Sequence, residues 1–229
     1  MSADGARPLV VVGAGGGCGT SLLALGLALA SGRRPARTRL VDLAVGGDLA
    51  GGMGVPPDRT VSDLRPVIDE LAEDHLDSIA LPHRSGVELL AGSPRDEWDA
   101  DATTRLVAAA SRSAAVVVDV GCGASVRLRG AVDAGAVVVM VAPPTIAGAR
   151  RASIAAASAG PDMAVVVGVT PGRSELGARS FARTSRLRVI GSIPACAGEA
   201  CELTAGRWPT GRRSRLARAL TSIADGIAA

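Results

Sequence analysis

The sequence predicts an α/β protein, a three-layer α/β/α sandwich whose mostly parallel sheet is covered by helices on both faces. Three observations carry that expectation. Valine-rich runs such as Ala115–Val120 and Ala136–Val141 lack the alternating polar residues of a strand with one wet face, so they are buried on both. Stretches of helical periodicity separate these runs in regular alternation, which is how parallel strands are joined. And 48% of the 229 residues are hydrophobic, enough for a full core and too many for a disordered chain.

In chain order, Val10–Val12 is the first strand, stopping at Gly13, and Thr20–Ser31 is the helix after it. Thr38–Leu43 is a strand that delivers Asp42 at its C-terminal end, and Val45–Pro57 reads as glycine-rich loop. Thr60-Val-Ser-Asp63 is a helix start, with Leu64, Val67, Ile68 and Leu71 as the stripe behind it. Strands follow at Val87–Leu90, Ala115–Val120, Ala136–Val141, Met163–Val169 and Arg188–Ile190. Helices are expected at Ala102–Ser113, Val126–Ala134, Thr145–Ser158, Ser174–Arg183, Glu199–Gly206 and Arg213–Ile227. Pro143-Pro144 breaks the chain ahead of the Thr145 helix. No repeat or long linker divides the sequence, so residues 1–229 are expected to form one domain, with 212–229 as its C-terminal helix.

The chemistry gathers at residues 8–31, PLVVVGAGGGCGTSLLALGLALAS. Five of the seven residues Gly13–Gly19 are glycine, more than a plain strand-to-helix turn needs. Strand, glycine loop and helix N-terminus together make a phosphate cradle, since glycine frees the backbone to turn its N–H groups inward and the helix dipole adds positive potential. Ligands in such sheets sit at the C-terminal ends of the strands. Asp42 and Asp119, the latter closing VVVD, are delivered to that edge, where a magnesium-water ligand belongs. The usual phosphate loop ends Gly-Lys-Ser/Thr, but the lysine position here is Thr20, and all 25 basic residues of the chain are arginine.

Four cysteines (Cys18, Cys122, Cys196, Cys201) show no CxxC spacing and there are two histidines, which argues against a metal site of those ligands. With no signal-like N-terminus and no membrane-spanning run, a cytoplasmic protein with reduced thiols is expected. Charge is uneven. From Asp48 to Asp101 there are 13 acids and 4 arginines, and from Arg173 to Arg218 there are 10 arginines and 3 acids. The basic third is either a solvated face or a surface for an acidic partner: nucleic acid, anionic lipid or a protein's acidic face. Two tryptophans and one phenylalanine leave nothing to stack bases on, which argues against single-stranded nucleic acid.

GGCGTSLLALGLALA resembles the deviant phosphate loop of the MinD/ParA superfamily, pattern KGGxGKT/S, and is closer still to the CpaE/TadZ branch and the septum-site-determining (Ssd) proteins. The resemblance runs through nearly the whole chain. LVDLAVGGDLAGGMGV is similar to the family's second-strand acidic motif, TVSDL to the helix after it, and VELLAGSP to its next strand and turn. VVVDVG is similar to the switch strand, VVVMVAPPTIAGARR to the strand and helix that follow, and GSIPACAGEACELTAGRWP with SRLARA to the tail. It implies a P-loop NTPase fold that binds ATP or ADP through Gly15, Gly16, Gly17, Cys18, Gly19, Thr20 and Ser21, with magnesium held by Ser21, Asp42 and Asp119. It also implies a face-to-face homodimer that positions pilus-assembly or division machinery at a pole or septum.

The departures from the pattern fall on charges. The family's signature lysine aligns with Gly15, the general phosphate-loop lysine with Thr20, and the second acid of its DxD motif with Ala44. The implied protein therefore binds nucleotide with little or no hydrolysis. An arginine from another segment, Arg150, Arg151 or Arg173, is the available replacement. Two other readings use the same residues. Gly13-Ala-Gly15-Gly-Gly17-Cys18 nearly matches the GxGxxG of a dinucleotide-dependent oxidoreductase, with Asp42 at the ribose, although Cys18 displaces the third glycine. The other is a scaffold that kept the fold and lost its ligand. At the C-terminus Leu216, Leu220, Ile223 and Ile227 form one stripe beside Arg212, Arg213, Arg215 and Arg218. It suits a packed last helix, and less well a membrane-surface helix, because it is narrow and has no Trp or Phe.

Overall fold

The computed structural model describes residues 7–32, 37–47, 49–93, 98–123, 126–159, 163–168, 175–209 and 213–228. Eight strands form one sheet: β1 (Leu9–Gly13), β2 (Thr38–Asp42), β3 (Leu81–Pro82), β4 (Val87–Leu90), β5 (Ala115–Cys122), β6 (Val137–Ala142), β7 (Ala164–Gly168) and β8 (Arg188–Ile193). Their order is β3-β4-β2-β5-β1-β6-β7-β8. The edge strand β3 runs antiparallel to β4 and the other pairings are parallel. The helices are α1 (Thr20–Gly32), α2 (Leu49–Met53), α3 (Glu73–Ile79), α4 (Ala100–Ala110), α5 (Val126–Asp133), α6 (Ile146–Ala159), α7 (Ala178–Ser185), α8 (Ala197–Thr204) and α9 (Arg215–Ala228).

Successive strand residues face opposite sides of a sheet, and the core divides accordingly. Val10, Val12, Val118 and Met140 pack with the residues of α4, α5 and α6 on one face. Val11, Val117, Val139 and Val166 pack with α1, α2, α8 and α9 on the other. Both faces are covered, which is why the strands read as unbroken apolar runs. The order also removes the oxidoreductase reading. β5 separates β1 from β2, whereas the first two strands of a dinucleotide-binding sheet are neighbours.

Three local differences from the expected elements have physical causes. Val61–Glu70 coils as a 3-10 helix with Pro66 inside it. Proline gives no N–H and crowds the preceding turn, so an α-helix does not close there. Its start is as expected, the Thr60 N–H donating to Asp63 Oδ2 at 2.7 Å. The stretch expected as loop from Val45 to Pro57 contains the short α2, which the low helix propensity of Gly51 and Gly52 conceals. α3 and β3 have no period of their own. α3 is held by arginines of distant strand residues, Arg39 donating to Glu73 Oε1 at 2.6 Å and Asp77 Oδ1 at 2.7 Å.

The C-terminal stripe is packed. Leu216, Leu220 and Ile223 are each 0% exposed, set against α1 and β8, while Arg213, Arg215 and Arg218 remain exposed. Leu220 fills a notch at Gly26 of α1, where an added Cβ would stand 2.6 Å from Leu220 Cδ2. No helix among the described residues is long and apolar enough to cross a membrane. Leu220→Ala is expected to cost about 3 kcal/mol and lower the melting temperature by roughly 6–12 °C, with vesicle binding unchanged. A variant that melted like the wild type but lost vesicle binding would restore the membrane reading of the stripe.

Candidate phosphate-binding site

β1 runs into the glycine loop and the loop into α1. Its underside is fastened to the sheet: the Ala14 N–H donates to Val141 O and the Gly123 N–H to Gly13 O, both at 2.8 Å. Cys18 is 5% exposed. Its thiol lies 2.9 Å from Gly15 O and 3.3 Å from Val141 O, so the side chain anchors the loop from below and is not presented to solvent. Gly17 and Gly19 adopt φ of +70° and +95°, a region that L side chains rarely enter. Among the described residues nothing lies within 4 Å of where a Cβ on Gly16 or Gly17 would be. These glycines shape the backbone and leave the outer face of the loop bare.

The Thr20 hydroxyl is engaged inside the loop. The residue is buried, and its Oγ1 lies 3.4 Å from Cys18 Sγ and packs against Gly13. Ser21, one residue on, is half-buried and lines the cleft above the loop.

Asp42 and Asp119 are register partners on β2 and β5. Both are buried, but their environments differ. Asp42 Oδ1 accepts from the Ala44 N–H at 3.1 Å and Oδ2 from the Leu49 N–H at 3.2 Å, so the carboxylate fastens the turn after β2 and the start of α2. Asp119 Oδ1 accepts from the Gly121 N–H at 2.9 Å, while Oδ2 is buried and has no hydrogen-bond partner among the described residues. Burial pushes the Asp119 carboxyl above the ordinary aspartate range, and the nearby Ser21 hydroxyl and Gly121 N–H only partly offset it. A buried carboxylate oxygen without a partner is costly and marks a place where a cation or a proton would be welcome. Among the described residues no three His, Cys, Asp or Glu gather to hold a metal. A cation beside Asp119 and Ser21 would thus draw its remaining ligands from water and a bound phosphate, which suits magnesium.

The loop, the turn after β2 and the start of α5 enclose a cleft of about 560 Å³. Arg127, unforeseen in the sequence, lines it from α5, 6% exposed, with Nη1 donating to Leu43 O at 2.9 Å. It lies in an ordinary helical stretch, and only the crossover after β5 brings it to the end of β2. Of the three arginines named as replacements, Arg151 on α6 reaches the loop: its Nη1 lies 3.1 Å from where a Cβ on Gly15 would stand. Arg150 is exposed on the same helix, and Arg173 lies outside the described residues. Ala44, at the second acidic position, is buried. Val45, Val126 and Ile146 are 73%, 59% and 62% exposed at the same sheet edge. In the basic third, Arg179, Arg183, Arg186 and Arg188 are exposed along α7 and the start of β8.

In sequence, no protein-family profile and no curated protein matches the chain. Solved structures do match it over nearly its whole length. The ParA family ATPase from Chlorobium tepidum superposes with a TM-score of 0.82 at 18% identity, over 95% of this chain and 98% of that one. A chain of the MinC:MinD cell division protein complex of Aquifex aeolicus gives 0.75 at 17%, over 96% and 94%. The septum site-determining protein MinD complexed with Mg-ADP from Pyrococcus horikoshii gives 0.72 at 18%, over 96% and 95%. The chain has the fold of the ParA and MinD ATPases, an α/β P-loop NTPase sheet with helices on both faces.

Proposed function

We propose that the protein binds ATP or ADP with magnesium in the glycine-loop cleft, hydrolyses it slowly or not at all, and acts as a nucleotide-held positioning factor. The observation that carries the reading is the unpartnered, buried Oδ2 of Asp119 beside Ser21 and a bare glycine loop. Gly15, Gly16, Gly17, Cys18, Gly19 and Thr20 would cradle phosphate through their backbone, and Ser21 and Asp119 would hold the magnesium ion, which supplies charge neutralisation for the phosphates. Asp42 contributes by fixing the turn that forms the opposite wall, a supporting role beside the metal role first expected of it.

Weak hydrolysis follows from the missing charges. Phosphoryl transfer is accelerated by positioned cations and a group that orients the attacking water, and Thr20 and Ala44 supply neither. Each lost charge-assisted contact is worth on the order of 2 kcal/mol, or more than a factor of ten in affinity. Occupancy rather than turnover would then set the state of the protein. The exposed Val45, Val126 and Ile146 around the cleft support a protein-covered face, either a second copy or a partner from division or pilus-secretion machinery. The exposed arginines of α7 and β8 support an additional anionic contact, with DNA or a membrane surface, at the cytoplasmic face of a pole or septum.

Calorimetric titration of ATP and ADP with magnesium tests the reading, with Ser21→Ala and Gly17→Val as site variants. The expected result is micromolar binding that both variants lose, with no phosphate release above background. No binding up to millimolar nucleotide would leave the scaffold reading, with the loop retained as a packing turn.

A further inference from the structure

Gly15 is a position where a side chain would fit. Its φ lies outside the left-handed region that disfavours L residues, and among the described residues an added Cβ would meet only Arg151 Nη1 within 4 Å, at 3.1 Å. The space that a side chain of the loop would enter is taken by a guanidinium from another element. α6 is fixed where it must be for this. Ala149, Ala152 and Ala155 are buried against the sheet, small enough to seat the helix closely. The Ser153 hydroxyl donates across to Ser185 O at 2.9 Å, tying α6 to α7. Arg151 is therefore carried on a packed helix, with its head group over the loop.

Among the described residues the guanidinium has no anion of its own. Arg151 is exposed and makes no hydrogen bond or ion pair with another described residue. Arg127, the arginine that lines the cleft itself, is engaged with Leu43 O. A cation set beside a helix N-terminus and a glycine loop adds positive potential to positive potential. That arrangement is favourable only with an anion between them, and a guanidinium can hold two phosphate oxygens at once.

We propose that Arg151 is the phosphate-binding cation of this site, delivered from α6 to the place over Gly15 in a chain that has no lysine. The inference rests on the reading that the cleft takes a nucleotide, and one set of titrations separates the two. ATP with magnesium is titrated into the wild type, Arg151→Ala, Arg150→Ala, Ser21→Ala and the double variant Gly15→Lys/Arg151→Ala. Arg151→Ala is expected to weaken binding about 10-fold or more, with its melting temperature within about 2 °C of the wild type, as for an exposed side chain. Arg150→Ala should bind within about 2-fold of the wild type, since an exposed charge without a specific contact contributes little. The double variant should regain most of the lost affinity, because a lysine rooted at Gly15 enters the space the guanidinium left. If Arg151→Ala binds like the wild type while Ser21→Ala does not, the assignment of Arg151 is overturned and the nucleotide reading stands. If Arg151→Ala is weak and the double variant no better, a cation over Gly15 is not what binding requires, and the assignment falls on that result too. If the wild type binds no nucleotide, both readings fall together.

Discussion

Asp119→Asn is expected to make the ligand-free protein more stable at neutral pH and, in the same molecule, to abolish the magnesium dependence of nucleotide binding. The two effects have one origin. Asp119 is 0% exposed with Oδ2 unpartnered, and burial raises its carboxyl above the ordinary value of 3.8 despite the Ser21 hydroxyl and the Gly121 N–H. An acid whose folded-state pKa is raised contributes its full stability below the unfolded value and loses it as pH rises through the folded one. The wild type therefore loses stability as pH rises from the ordinary aspartate range, and asparagine, neutral at every pH and nearly the same shape, does not. The amide left in the same place is neutral and less costly to bury. Thermal melts from pH 4 to 8 should show the variant's advantage growing with pH. Titrations with magnesium and with a chelator should agree for the variant and differ by about 10-fold or more for the wild type, a charge-assisted contact being lost. A variant less stable than the wild type at pH 7.5, or one that keeps the magnesium effect, would refute this account of Asp119.

At the opposite end of β2 the balance of charge reverses. Arg39 is 0% exposed and donates to Glu73 Oε1 at 2.6 Å, Asp77 Oδ1 at 2.7 Å and Glu88 Oε2 at 3.2 Å. Arg37 shares all three acids, and the Ser113 hydroxyl donates to Glu73 Oε1 at 2.7 Å. The network joins β2, β4 and α3. Arg39→Met keeps the buried stem but leaves three carboxylates to one arginine. Loss of one partner from a buried ion pair costs about 3–5 kcal/mol, and because these acids are 22–44% exposed solvent screening brings the expected loss to about 2–3 kcal/mol. The pH dependence has a fixed sign. Burial raises the Glu73 carboxyl, but the hydrogen bonds from Arg39 and Ser113 and the charges of Arg39 and Arg37 outweigh it and hold it below 4.5. Stability from a depressed acid is present above the unfolded value and is lost as pH falls through the folded one. Urea unfolding should therefore show the gap between wild type and Arg39→Met wide at pH 7 and closing below about pH 4.5. A gap that stays constant with pH would mean that Arg39 acts through packing alone.

Much of the protein was legible along the chain because its main signals are local. Strand and helix periods name their own faces, so the layers, the parallel sheet, the Val87–Leu90 strand and the C-terminal stripe all follow from the order of residues. The glycine loop could be found because few purposes call for five glycines in seven residues. Asp42 and Asp119 could be found because each follows a run of apolar strand residues. The same reasoning stopped at features without a period. α2 hides behind its glycines, α3 depends on arginines from β2 and its approach, and Pro66 turns an expected helix into a 3-10 one.

What the sequence by itself determined is the architecture, the place of the candidate site in it and the absence of lysine from the chain. Tertiary structure decided how the site's charges are used. Asp42 and Asp119 are alike in sequence, each an acid after a run of apolar strand residues, yet one has both oxygens taken by backbone N–H groups and the other keeps an oxygen without a partner among the described residues. Arg150 and Arg151 are adjacent in the chain, but one residue of helix turns a side chain by about 100°, and the second of them lies over Gly15. Such differences arise from the packing of elements far apart in sequence, where an ångström and a direction matter and residue identity alone carries neither.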